Sequence, residues 1–77
     1  MATWKAIITG REEVSADNTM TVSFNVLRDE VVILENSTQT AIPSEIQQYI
    51  ESYVRSYAAE WELAQQITVG QELTIDA

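Results

Sequence analysis

A chain of 77 residues with twelve acids, four bases, a net charge of −8, no cysteine and no histidine has no disulfide to staple it and lacks the commonest zinc ligands. Nucleic acids and anionic membranes repel it. Apolar residues make up 45% of it, enough for a packed core, and the reading is a single small α+β domain over residues 1 to 77, near the lower size limit for one core.

Residues 3 to 9, TWKAIIT, read as a strand with Trp4, Ala6 and Ile8 on one side and Lys5 and Ile7 on the other. The stretch 10 to 18, GREEVSADN, opens on Gly10, ends on Asp17-Asn18 and is acidic between, which marks a loop. Residues 19 to 27, TMTVSFNVL, alternate strictly, with Met20, Val22, Phe24 and Val26 on one face. Arg28, Asp29 and Glu30 form a polar turn. Without Asn-Gly or Asp-Gly it is expected to be a loop of about three or four residues.

Residues 31 to 41, VVILENSTQTA, make a third strand, apolar without alternation at first and polar later. Asn36-Ser37-Thr38 fits the glycosylation acceptor pattern and is read as chance. Ser44 and Gln47 have the spacing of a capping box, so a helix is expected from there to about Ile67, with Glu45 in its first turn and Gly70 left-handed beyond it. Residues 71 to 75, QELTI, offer a short last strand, parallel to the third through a right-handed crossover and beside the first.

The order is β-β-β-α, or β-β-β-α-β with that last strand: a three-stranded antiparallel meander with one long amphipathic helix across a face. At about 100° per residue, Ile46, Ile50, Tyr53, Tyr57 and Trp61 fall in one arc. The spacing-of-four ladder Tyr49, Tyr53, Tyr57, Trp61 drifts across that arc, so it is expected to cover the sheet. Tyr49, farthest round, is placed at the rim. Glu51 and Arg55 are spaced for an ion pair, and Glu60 is expected to lie at the stripe's edge or to pair with Lys5 or Arg28.

A sheet with one helix has one bare face, expected to be polar. Thr3, Lys5, Thr21, Ser23 and Asn25 obey; Ile7, Leu27 and half of Val31 to Leu34 do not, and the pattern leaves open which half. An apolar bare face marks a contact with another chain, for which Ile7, Leu27, Val31, Ile33 and Tyr49 are the candidate residues. The competing arrangement is the loop around Val14 folded over the patch.

Catalytic chemistry has few carriers here. Most activated nucleophiles and general bases are absent, the two glycines make no phosphate loop, and the adjacent acids lack the calcium-loop pattern. The expectation is no enzyme, no cofactor, no metal and no small-molecule substrate.

The entering strand WKAIITG, then MTVSFNV, then an acidic amphipathic helix closing on VGQELTI, resemble small proteins of tailed phages and prophages encoded among tail or head-tail genes. The resemblance covers most of the chain and implies a virion or assembly role through contacts with copies of itself or other virion proteins. Two other classes compete: a small acidic inhibitor that imitates DNA and blocks a host DNA-binding or defence protein, and a generic bacterial protein-binding module. Residues 1 to 10 have no apolar core of about 7–15 residues and no run nears the ~20 apolar residues of a membrane span, so the expected place is host cytoplasm or assembled virion, without a signal peptide or a membrane.

Overall fold

The computed structural model describes residues 2 to 76. The strands are β1 (Trp4–Arg11), β2 (Met20–Arg28) and β3 (Val31–Ala41), followed by helix α1 (Ile46–Ala64). They form one antiparallel sheet in the order β1-β2-β3, with the helix across one face. The α+β meander expected from the sequence is therefore the fold.

The alternation of β2 places the core. Met20, Val22, Phe24 and Val26 are buried under Ile46, Ile50 and Val54 of α1, with Phe24 and Val26 fully enclosed. Tyr53 and Tyr57 pack against this cluster, half-buried. The bare face opposite carries a hydroxyl pair, Thr21 and Thr40, 2.8 Å apart on paired residues.

β1 runs past Gly10, where the sequence suggested a break. One residue, Thr9, is extra between the pairs Ile8–Phe24 and Gly10–Ser23, a bulge that lets pairing continue to Arg11–Val22. Because side chains alternate, the extra residue also turns Arg11 to the helix side, beside Val22.

β3 carries two more irregularities. Phe24 pairs with Ser37 but Val26 with Leu34, and Leu27 then pairs with Val32, so one residue among Glu35 and Asn36 is extra, and Ile33 is extra again. Asn36 takes a φ of 58°, and its amide donates to Asn25 Oδ1 at 3.1 Å.

The β2–β3 turn is tighter than expected. Arg28 pairs with Val31, so Asp29 and Glu30 alone make the loop, at φ 49° and 69°. That is the left-handed pair a two-residue hairpin requires, normally supplied by Asn-Gly. Tertiary contacts hold it instead. The Thr3 amide donates to Asp29 Oδ1 at 2.9 Å, the Asp29 amide to the Thr3 carbonyl at 2.8 Å, and Lys5 reaches Glu30 at 2.7 Å.

The helix departs from expectation at both ends. Its first amides are not capped by Ser44; the Ile42 carbonyl accepts from Glu45 and Ile46 at 2.9 and 3.0 Å, and no side chain caps it. It stops at Ala64 rather than near Ile67, because the β-branched run Ile67 to Val69 has no core to pack on and stays exposed. Gly70 is left-handed at φ 89°, but in a separate turn where the Gln71 amide donates to the Thr68 carbonyl at 3.2 Å. The expected fourth strand is not formed: residues 71 to 76 have no regular structure and are exposed.

Candidate protein interface

The bulges of β3 decide which apolar residues reach the bare face. Cross-strand partners share a face. Trp4 and Arg28 are paired, and both meet α1, so Val31 beside Arg28 belongs to the helix side. Leu34 pairs with Val26 and packs on the core. Val32, opposite Leu27, therefore shares the bare face with Leu27, Lys5 and Ile7, while Ile33 is the extra residue of a bulge and half-buried. Of the sequence candidates, the structure brings only Ile7 and Leu27 together. Val31 lies at the end of the helix side, and Val32, not singled out from the sequence, takes the place expected of Val31 or Ile33. A period-two count from Ser37 misplaces Leu34 and Ile33, since one extra residue intervenes before Leu34, and comes back into step at Val32 and Val31 once Ile33 is passed.

Within this patch Leu27 is the floor rather than the surface. It is 6% exposed, flanked by Lys5 and Val32 on the neighbouring strands, whereas Ile7 is 47% and Val32 43% exposed. The Lys5 stem crosses towards Glu30 with its ammonium in the ion pair and its methylenes free to cover apolar surface. The loop around Val14 does not seal the patch: it closes the opposite end of the hairpin, and residues 11 to 18 are all exposed. Its tip is held by the Ser15 and Thr19 hydroxyls, which donate to the Asp17 carboxylate and hold it below the usual carboxylate range.

The aromatic ladder is the margin of the core. Tyr53 meets Phe24 edge-on at 5.6 Å, Tyr57 stacks on Tyr53 at 6.3 Å, and Trp4 meets Tyr57 at 6.2 Å and Trp61 at 5.6 Å, both edge-on. Trp61 is half-buried and outside the core cluster: it covers the sheet over Trp4 and Arg28 rather than over Met20 to Val26. Tyr49 lies out of this network, 44% exposed on the rim as its position on the wheel implies. Arg28 pairs with Glu62, not Glu60, at 2.8 Å, and Glu51 and Arg55 are not within ion-pair distance among the described residues.

A second apolar surface was not foreseen. Between β1 and α1 runs a groove of about 840 Å³, floored by Ala6, Ile8 and Val22, walled by Ile46, Ile50 and Val54, and edged by Arg11 and Arg55. Its floor follows from the alternation that puts Ala6 and Ile8 on the helix side; the bulge at Thr9, which no sequence pattern marks, adds Arg11 to its border.

Among the described residues no three acids converge into a group able to hold a metal ion, and no helix is long and apolar enough to cross a membrane. No family model matches the chain, and neither a curated protein nor a solved structure does.

Proposed function

We propose that this chain is a non-enzymatic structural or assembly protein that works by protein–protein contact, of the kind encoded among the tail or head-tail genes of tailed phages. The observation that carries the reading is the apolar patch over Leu27, where Ile7 and Val32 stand exposed on the face that should be polar. A monomer rarely leaves such surface without a use. Its partners are copies of itself or other virion proteins. The acids weigh against a DNA-imitating inhibitor: they are spread over the loops, the turn, β3, the helix and the tail, and Glu13, Asp29, Glu30 and Glu62 are engaged by cations.

The test is sedimentation velocity on the full chain across concentrations, beside the double variant Ile7→Asp/Val32→Asp. The reading expects association that weakens in the variant. A monomer at high micromolar concentration, with the variant indistinguishable from it, removes the assembly role. Identification of the chain in purified virions, or of tail genes on either side of its own, decides the phage assignment separately.

A further inference from the structure

β1 is an outer strand, and its far edge has no sheet neighbour among the described residues. The helix side of the sheet is unfinished along this edge. Ile8 is 53% exposed although it pairs with Phe24, which is fully buried. The groove beside Ile8 is thus an apolar trough against open backbone, the geometry in which an extended segment adds to a sheet. Its charge is also unlike the rest of the molecule. Two of the chain's four bases, Arg11 and Arg55, border it against one acid, Glu51, while the Lys5 side chain leaves by the opposite face. Lys5 is tied to Glu30, and Arg11 is 4.0 Å from Glu13, but Arg55 makes no ion pair among the described residues.

The chain also carries a segment that suits the trough. Residues 71 to 76 alternate Leu73 and Ile75 with Glu72, Thr74 and Asp76, the pattern of a half-buried strand, yet Leu73 and Ile75 are exposed. The turn at Gly70 sets the segment apart from the helix. Residues 71 to 75 equal in length the regular stretch of β1 before its bulge, residues 4 to 8. The segment does not lie on its own body: the radius of gyration is 16.5 Å and the longest extent 53 Å, where a compact chain of this length has a radius near 11–12 Å.

We propose that residues 71 to 76 of one copy add as a strand to the outer edge of β1 of the next, with Leu73 and Ile75 in the groove and the acidic tail drawn to its cationic border. The inference rests on the assembly reading in taking a second copy as partner, and deepens it by naming donor and acceptor. The contact joins unlike surfaces, so a pair keeps one free groove on the donor and one free tail on the acceptor, and repetition gives a ring or a filament.

Complementation of two full-length variants tests this. Leu73→Asp/Ile75→Asp disables the tail and touches no buried residue; Ile8→Asp/Arg55→Glu disables the groove, with Arg55→Glu alone as the milder form if Ile8→Asp unfolds by circular dichroism. In sedimentation velocity the wild type grows in mass with concentration, and each variant alone associates about tenfold more weakly or worse. Their equimolar mixture forms a discrete heterodimer, one good tail in one good groove. Variants that keep wild-type mass overturn the proposal. If Ile7→Asp/Val32→Asp then abolishes association, the sheet face carries it and the assembly reading stands without this contact. A monomeric wild type whose Leu73 amide is protected from hydrogen exchange, with protection lost in Arg55→Glu, also overturns it, by placing the tail in its own groove.

Discussion

The guanidinium of Arg28 lies over the ring of Trp61, 4.7 Å from its centroid, while its Nε donates to Glu62 at 2.8 Å. One side chain of β2 is thereby clamped by two residues of the last turn of α1, and the hydrogen bond to Glu62 raises its pKa above the ordinary guanidinium value. Trp61 is the platform of this clamp and the edge partner of Trp4. Trp61→Ala is expected to lower stability by about 1.5–2.5 kcal/mol, since only part of the ring leaves water on folding.

Phe24→Ala should cost about 3–5 kcal/mol, because that ring is fully enclosed and a cavity remains. In a domain of this size such a loss is comparable with the whole folding free energy. Urea unfolding read by circular dichroism checks the ranking. Trp61→Ala less stable than Phe24→Ala would put the ladder, not β2, at the centre of the fold.

Leu27 and Val32 face each other on the bare face but should separate two readouts. Leu27→Ala is expected to destabilise by about 2–4 kcal/mol, as for any buried leucine. Val32→Ser should change stability by less than about 1 kcal/mol, being a largely exposed position, while weakening self-association. Melting curves and sedimentation on the same two samples make the comparison.

The Asp29-Glu30 turn holds two non-glycine residues left-handed, a conformation that costs of order 1 kcal/mol or more apiece. The exposed Lys5–Glu30 pair returns little of that. Glu30→Gly is therefore expected to raise stability by about 0.5–1 kcal/mol. A fall of similar size in chemical denaturation would mean the ion pair, not the backbone, governs the turn.

Asp17 supplies a pH dependence. Donation from Ser15 and Thr19 holds its folded pKa below the ordinary 3.8, so its contribution is present above pH 3.8 and is lost as pH falls through the folded value. Asp17→Asn should be less stable than the wild type near neutrality, with the two converging below pH 3.8. Carboxyl carbon titration by NMR that placed Asp17 at or above the ordinary value would refute the loop geometry.

The parts legible in the sequence were those governed by regular periods. The alternation from Met20 to Val26 located the core, and the wheel placed Ile46 and Ile50 inward and Tyr49 at the rim, whereas Val54, on the shoulder of the arc, is buried as deeply as Ile46. What stayed hidden were the interruptions of period. Nothing in IITGR marks Thr9 as a supernumerary residue, and without it Arg11 would sit on the other face. The Val31 to Leu34 run was ambiguous for the same reason. Glu62 rather than Glu60 meets Arg28 because the helix rotation at its last turn decides between them, which a wheel resolves poorly. The fourth strand failed for another cause: alternation in residues 71 to 75 records a capacity to pair, and pairing needs an edge within reach.

The twin insertions in β3 also bear on kinship. A strand that gains one residue turns everything beyond it inside out; a strand that gains two restores the original facing. A homologue lacking both Ile33 and its companion among Glu35 and Asn36 would therefore bury an equivalent set of side chains, yet would fall out of step by two positions in any ungapped comparison. Ancestry of this fold is better sought by matching what is paired with what across the sheet than by counting along the chain.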